Sequence, residues 1–454
     1  MRILYLVHQF YPQTFAGTEK FLLRLAQGCQ AAGHTVTIVT YDRQVRPVAL
    51  YRRLVRAAGR HILRRLNTWG INLYHLYHRL PRRKAAPSPT AYQIHARRYT
   101  WEGLPVIAYR RLQVADGEDT NEALPWPDFV AGVLREVQPD LIHAAHVMWV
   151  EDFLHTAADR GVPHLLTLTD FWPICPNCRL QTERGERCWG PKGGRVCRRA
   201  CPSLHPADIV ARLQQASHLL HTAHAIAAPT RFLAERIQAE HGPLPIQIIP
   251  YGMEFAPSSA TQSAATTPLV FCFAGTLYEA KGIHLLVKAF RRLAAPDVRL
   301  VIYGGGRLEA RLRKQAANDP RIHFGGVYRP EEISARLDGV SVLVVPSIWH
   351  ENAPLIMLEA LAHGVPVLAS DVAGITECVT DGVNGFTFRT GDVADLQRKL
   401  QMICDHPERL YEIRENIRHP RRGQYRMMPH AETVDAYIQI YQRVQAGHVQ
   451  TGDD

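Results

Sequence analysis

The sequence predicts an α/β fold of two Rossmann-like parallel-sheet domains facing each other across a cleft. Three observations predict it. The chain has 454 residues, more than one ordinary domain of about 100 to 200. Apolar residues make up 46% and charged residues 21%, a globular composition that excludes wholesale disorder. Short apolar runs alternate with amphipathic stretches almost throughout, as strands and covering helices of parallel sheets do.

The first strand is RILYLVH, from Arg2 to His8. The glycine turn FAGTE (15–19) opens a helix whose Phe21, Leu22, Leu25 and Ala26 share one face, and GHTVTIVT is the second strand. LPVIAY, DLIHAAH, VPHLLTLT, AIAAPT and PIQIIPYG complete a sheet. The small, polar stretch Phe255 to Pro268 has no period and predicts a linker with a hinge near residue 262. The alternation restarts with PLVFCFAG, VRLVIYGG, RIHFGG, VSVLVVPS and GVPVLAS. The domains are therefore expected at 1–262, with inserts at 41–100 and 172–205, and at 263–429. A last helix and tail, 430–454, carry Val434, Ala436, Tyr437, Ile440 and Tyr441 on an apolar face that can pack back on the N-terminal domain.

No run of 18 apolar residues occurs and the N-terminus reads straight into a strand, so a cytoplasmic rather than a secreted or membrane-spanning protein is expected. The net charge of +11 is local: residues 41–100 hold thirteen Arg, one Lys and one acid, Asp42, which leaves −2 for the rest of the chain. Arginines interleaved with apolar residues there fit an interfacial helix on the anionic inner face of a membrane; a solvated lid and an RNA contact are the alternatives.

Open parallel sheets bind ligands at the carboxyl ends of their strands, so chemistry is sought in the strand-to-helix loops. In SIWHENAPLIMLEALAHGVPVLAS (347–370), Glu351 lies in a loop, Pro354 suits a first helical turn, and Glu359 sits inside an apolar helix. A carboxylate among Met357, Leu358, Ala360 and Leu361 needs donors, which ribose hydroxyls supply, while the free amides at the helix start, in the stretch Asn352, Ala353, Pro354 and Leu355 where Pro354 itself has no N–H, can meet a phosphate. The plainer reading pairs Glu359 with His363 on an exposed stripe. In AGTLYEAKGIHLLVKAF (274–290), Gly275 and Thr276 end a strand and Lys281 offers a point charge at a helix mouth, or is merely a solvated lysine beside a turn. Gly17 in FAGTE and YGGG (303–306) are weaker signals of the same kind. LIHAAHVMW places His143 and His146 at a strand end, and TLTDFW ends the next strand in Asp170; either a site or a packed, capped structure accounts for them.

Together these segments resemble, in order and over nearly the whole chain, the family 4 retaining glycosyltransferases of the GT-B fold. The opening HQFYPQTFAGTEKFLLRLAQGCQAAGHTVTIVT resembles the family's glycine loop. AGTLYEAKGIHLLVKAF resembles its diphosphate loop, and HENAPLIMLEALAHGVPVLAS its two glutamates separated by seven residues. The resemblance implies a nucleotide-diphosphate sugar donor, a glycan or lipid-linked acceptor, and retention without an essential metal. It suggests a place in cell-surface polysaccharide or glycoconjugate synthesis. It places Glu351 near the donor sugar, Glu359 on the ribose, Lys281 and Gly17 at the diphosphate, and His146 with Asp170 on the acceptor side. Two departures stand out: Ala16 replaces a frequent glycine, and Thr276 a frequent arginine, so Lys281's usual partner is another Arg or absent.

A cysteine-rich insert after a "DFW" strand also occurs in one branch of that family. Here CPNCRLQTERGERCWGPKGGRVCRRAC holds five of the nine cysteines. Structural zinc on Cys175, Cys188, Cys197 and Cys201, with Cys178 spare, is the expectation; a disulfide pair, packed thiols and an Fe–S cluster are alternatives. Two other functions stay open: a nucleic-acid-binding protein built on the basic insert and a zinc knuckle, and a GT-B scaffold without transfer activity.

Overall fold

The computed structural model describes residues 1–12, 14, 16–42, 92–113, 126–255, 268–317, 319–420 and 425–447. Most of the basic insert, the hinge expected near residue 262 and the tail after 447 lie outside the described residues.

The N-terminal sheet contains β1 (Arg2–Val7), β2 (Thr35–Tyr41), β3 (Tyr92–Trp101), β4 (Leu104–Gln113), β5 (Leu141–Ala144), β6 (His164–Thr167), β7 (Ala225–Ala228) and β8 (Ile246–Ile248). Their order is β3-β4-β2-β1-β5-β6-β7-β8, parallel except for β3 against β4. The C-terminal sheet, of β9 (Leu269–Ala274), β10 (Val298–Tyr303), β11 (Ile322–Gly326), β12 (Val342–Val345), β13 (Val367–Ser370) and β14 (Gly385–Phe388), runs β11-β10-β9-β12-β13-β14, all parallel. Strands such as β12 (VLVV) and β13 (VLAS) are buried at every position because helices cover both faces of the sheet.

At the sheet edge, residues 92–101 form a hairpin with 104–113; the arginine-rich stretch 52–84, expected as an interfacial helix, lies outside the described residues. Glu102 and Gly103 hold φ of 46° and 80°, the left-handed pair that a tight hairpin turn uses. Arg97 and Arg98, part of the basic count, bond to Asp42 at 3.0 Å and Glu136 at 2.9 Å.

Strand order reverses beside β1 in one sheet and beside β9 in the other, so the loops after β1, β5, β9 and β12 open toward one crevice. The helices Gly17–Ala31 and Leu355–Ala362 face each other there. Phe21 and Leu25 of the first, Met357, Leu358 and Leu361 of the second, and Tyr251 belong to one apolar cluster that runs through both domains. The helix His430–Gln445 crosses back onto the N-terminal domain, where Tyr441 and Tyr5 share a hydrogen bond of 3.0 Å between hydroxyls and Thr167 donates to the Tyr437 hydroxyl at 3.1 Å. Val434, Tyr437, Ile440, Tyr441 and Val444 are buried in that contact, each stabilising it by about 1.5 to 3 kcal/mol. At the opposite rim, Glu377 caps the helix Arg231–His241, accepting from the amides of Arg231 at 2.9 Å and Phe232 at 2.7 Å.

Candidate functional site

A cavity of about 660 Å³ lies between the two sheets, walled by the β1, β9 and β12 loops and by the starts of the helices Gly17–Ala31 and Leu355–Ala362. Gly17, Gly275, Thr276, Lys281, Glu351, Asn352, Ala353, Pro354, Leu355 and Glu359, all singled out by the sequence, line it.

Glu351 is 6% exposed. One of its oxygens, Oε1, accepts three bonds: from Lys281 Nζ at 2.6 Å, Ser347 Oγ at 2.6 Å and Trp349 Nε1 at 2.7 Å. No hydrogen bond from the described residues reaches the other, Oε2, so it is left to accept from a hydroxyl of a bound molecule. Two glycines shape this loop. Gly282, at φ +67°, brings Lys281 in so closely that a Cβ would stand 1.7 Å from the Pro346 carbonyl oxygen. A Cβ at Gly374 would stand 2.0 Å from the carbonyl oxygen of Glu351 itself.

Glu359 is 5% exposed. Rather than pairing its side chain with His363, it pairs with Lys20 and accepts from Arg24 Nη2 at 3.3 Å, both on the helix Gly17–Ala31. Burial pulls the Lys20 ammonium below its usual range, against the opposing pull of Glu359. Lys20 and Lys281 are the two lysines on the cavity wall, and no arginine lines it among the described residues.

Asn352, His146 with Asp170, and His143 each spend polar atoms on protein partners. Asn352 spends its side chain on the N-terminal domain, accepting from Thr230 Oγ1 at 2.7 Å and donating to the Thr169 carbonyl at 3.1 Å. His146 and Asp170 come together, Nε2 to Oδ2 at 2.9 Å, but the His146 Nδ1 already accepts from the Met148 amide at 3.2 Å, and the ring lies outside the cavity wall. The histidine on the wall is His8, whose ring packs on His146 at 4.1 Å between centroids. His143 is wholly structural: it bonds the Tyr441 hydroxyl at 2.7 Å and Thr167 at 2.6 Å, and burial pushes its pKa down to about 3. The sequence also missed Glu19, fully buried on the cavity wall, whose Oε2 accepts from the Ala16 amide at 3.0 Å and whose carboxyl burial raises. The only signal for His8 and Glu19 was their place at the two ends of the first strand-to-helix loop.

Cys175, Cys188, Cys197 and Cys201 gather as free thiols, while Cys178 lies nearer Asp170. Burial, then the neighbouring sulfurs, push the Cys197 thiol up to about 12. Among the described residues no group of three or more His, Cys, Asp or Glu is placed to hold a metal ion.

Residues 257–419 match the family model for glycosyl transferases group 1. This stretch is similar to a group 1 glycosyl transferase domain. It contains the whole Lys281, Glu351 and Glu359 wall of the cavity. The putative colanic acid biosynthesis glycosyltransferase WcaL of Salmonella typhimurium is 34% identical over 143 residues, 29% of this chain and 35% of that protein. A D-inositol 3-phosphate glycosyltransferase of Catenulispora acidiphila is 27% identical over 342 residues, 69% of this chain and 75% of that protein. The first such relatives are matched over only about 35% of their own length. The crystal structure of Anabaena HepE with UDP and glucose superposes with a TM-score of 0.62 at 15% identity, covering 97% of this chain and 99% of that one. Sucrose-phosphate synthase of Thermosynechococcus elongatus gives 0.64 at 16%, covering 98% and 99%. The two parallel-sheet domains together thus make up a GT-B fold. Among the described residues no helix is long and apolar enough to cross a membrane.

Proposed function

We propose that the protein transfers a sugar from a nucleotide-diphosphate donor to a glycan or lipid-linked acceptor, with retention of anomeric configuration, in cell-surface polysaccharide or glycoconjugate synthesis. The observation that carries this reading is the convergence of Lys281, Glu351 and Glu359 on one cavity wall. Relatives named as glycosyltransferases, and a neighbouring fold crystallised with UDP, support it.

In this reading a hydroxyl of the donor sugar donates a hydrogen bond to Glu351 Oε2, the oxygen that no hydrogen bond from the described residues reaches. The ribose hydroxyls bond to Glu359 in place of Lys20, and Lys20 turns with Lys281 toward the diphosphate. The first amides of the helix Leu355–Ala362 add partial positive charge on the same side. Stabilising the departing diphosphate is then the main catalytic work. A donor phosphate oxygen takes the acceptor proton on the face that the leaving group vacates, which retains configuration. Contact of residues 41–100 with an anionic membrane would bring the cleft to a lipid-linked acceptor.

The test is a thermal-shift and turnover screen of the purified chain against UDP-, GDP- and ADP-sugars, with Glu351→Ala beside it. One class of donor should stabilise the protein and be turned over, and the variant should bind but not turn over. Absence of any donor effect, or full turnover by the variant, refutes the reading.

A further inference from the structure

The cysteine-rich segment folds against the mouth of the cleft. Gln181 and Arg187 pair as an antiparallel bridge, the Cys188 amide donates to Leu180 at 2.8 Å, and the Glu183 amide ties this hairpin to Ala200 at 3.1 Å. Trp189 follows, and it is 58% exposed although it is the largest apolar side chain of the segment. One side of its indole is held: it meets the His350 ring at 4.6 Å, nearly perpendicular, and His350 packs in turn on Phe232 at 5.3 Å. His350 immediately precedes Glu351, so the exposed indole stands one residue from the carboxylate on the cavity wall.

The surroundings of Trp189 are basic. From Cys175 to Cys201 there are seven Arg and Lys against two Glu. The Arg236 guanidinium lies 5.9 Å from the Trp189 ring centroid, and its Nε is buried with no hydrogen-bond partner. Arg187 and Arg236 are both near enough to His350 to add to the burial that lowers its pKa to about 4. Arg179 is near enough to act on Tyr278, which lines the cavity. Among the described residues none of these three arginines forms an ion pair with an acid. An exposed indole fixed on one side, beside unpaired guanidinium groups, suits a sugar ring bearing a negative substituent: the ring lies on the indole and the anion meets the arginine forks.

We propose that Trp189, Arg187 and Arg236 form an acceptor subsite for an anionic saccharide, one that carries a carboxylate or a phosphate within one sugar of the hydroxyl that is glycosylated. The proposal rests on the transfer reading above and names the class of its acceptor. The anion can come from a uronic acid of a glycan or from the diphosphate of a lipid carrier; the chemistry that the arginines meet is the same.

The experiment titrates the full chain, saturated with UDP, with three probes: a tri-uronate, its carboxyl-reduced neutral counterpart, and a short-chain prenyl-diphosphate sugar. Trp189→Ala and the double variant Arg187→Gln/Arg236→Gln are titrated alongside, after melting curves show them folded. At least one anionic probe should bind the wild type about tenfold or more tightly than the neutral one, and both variants should lose that preference. Uronate preference assigns a glycan acceptor; prenyl-diphosphate preference assigns a lipid-linked one. Equal affinity for neutral and anionic probes, no binding of either anionic probe, or wild-type preference in the variants overturns the proposal. Donor turnover is measured separately: its absence sinks the transfer reading, whereas donor turnover without anion preference sinks this subsite alone.

Discussion

Lys281 Nζ donates to Glu351 Oε1 at 2.6 Å, so the two groups that the sequence places on separate loops behave as one unit. Among the described residues only one of the two Glu351 oxygens accepts hydrogen bonds. Lys281→Met should therefore do two kinds of harm, removing a charge aimed at the diphosphate and releasing Glu351 from its orientation. We expect turnover to fall by about 10² to 10³, the usual cost of removing a preorganised donor. Steady-state kinetics checks it; a loss confined to donor KM would show that the lysine serves binding alone.

Glu359 gives a different signature. One oxygen of its carboxylate, Oε1, meets both Lys20 and Arg24, so the ribose competes with them there. Glu359→Gln should raise donor Kd by about 10- to 100-fold, since hydrogen bonds to a charged group contribute about 1.5 to 3 kcal/mol. Turnover at saturating donor should change far less. Isothermal titration with the nucleotide diphosphate and with the full donor separates the effects, and an unaltered Kd for both would remove Glu359 from the ribose.

Much of this wall was legible because its members lie in contiguous sequence: a carboxylate inside an apolar helix, eight residues after another, demands partners whatever the tertiary structure. The identity of those partners was not legible. Lys20 and Arg24 read as the polar face of an ordinary amphipathic helix, and only the approach of the two domains turns them on Glu359. His8 and His146 both end strands, and the 4.1 Å between their rings decides which one meets the cavity. The edge hairpin was hidden for another reason: Arg97 and Arg98 looked like the tail of a basic insert, although the turn pair Glu102–Gly103 was there to be read.

Gly282 sets the position of Lys281 through backbone shape. At φ +67° a side chain is strained, and its Cβ would stand 1.7 Å from the Pro346 carbonyl oxygen. Gly282→Ala should cost about 2 kcal/mol or more and displace the lysine with it. A lowered melting temperature together with weakened donor binding is the expected result. Gly391→Ala, at φ +79° with nothing near its Cβ, shares the strain without the clash and should lose less stability. Equal losses at the two positions would show that the crowding at Pro346 is relieved at no cost.

Acid should weaken the fold through histidines that are buried neutral. Burial pushes His143 down to about 3 and His164 down to about 4, and neither His164 ring nitrogen has a hydrogen-bond partner. In the unfolded chain such groups titrate near 6.5. Between about pH 6.5 and 4 the unfolded state therefore binds more protons than the folded one. Stability is complete above that window and declines as pH falls through it, each histidine contributing up to about 1.4 kcal/mol per pH unit. Glu19 acts in the opposite sense, because burial raises its carboxyl and the folded state takes up the proton first. His164→Phe isolates the histidine contribution: it removes a buried ring that must stay neutral and keeps an aromatic side chain in its place. Denaturant unfolding at half-unit steps from pH 7 to 4 should give the variant a shallower acid limb than the wild type, by up to one proton. Parallel limbs would mean that His164 enters the unfolded and folded chains with the same charge.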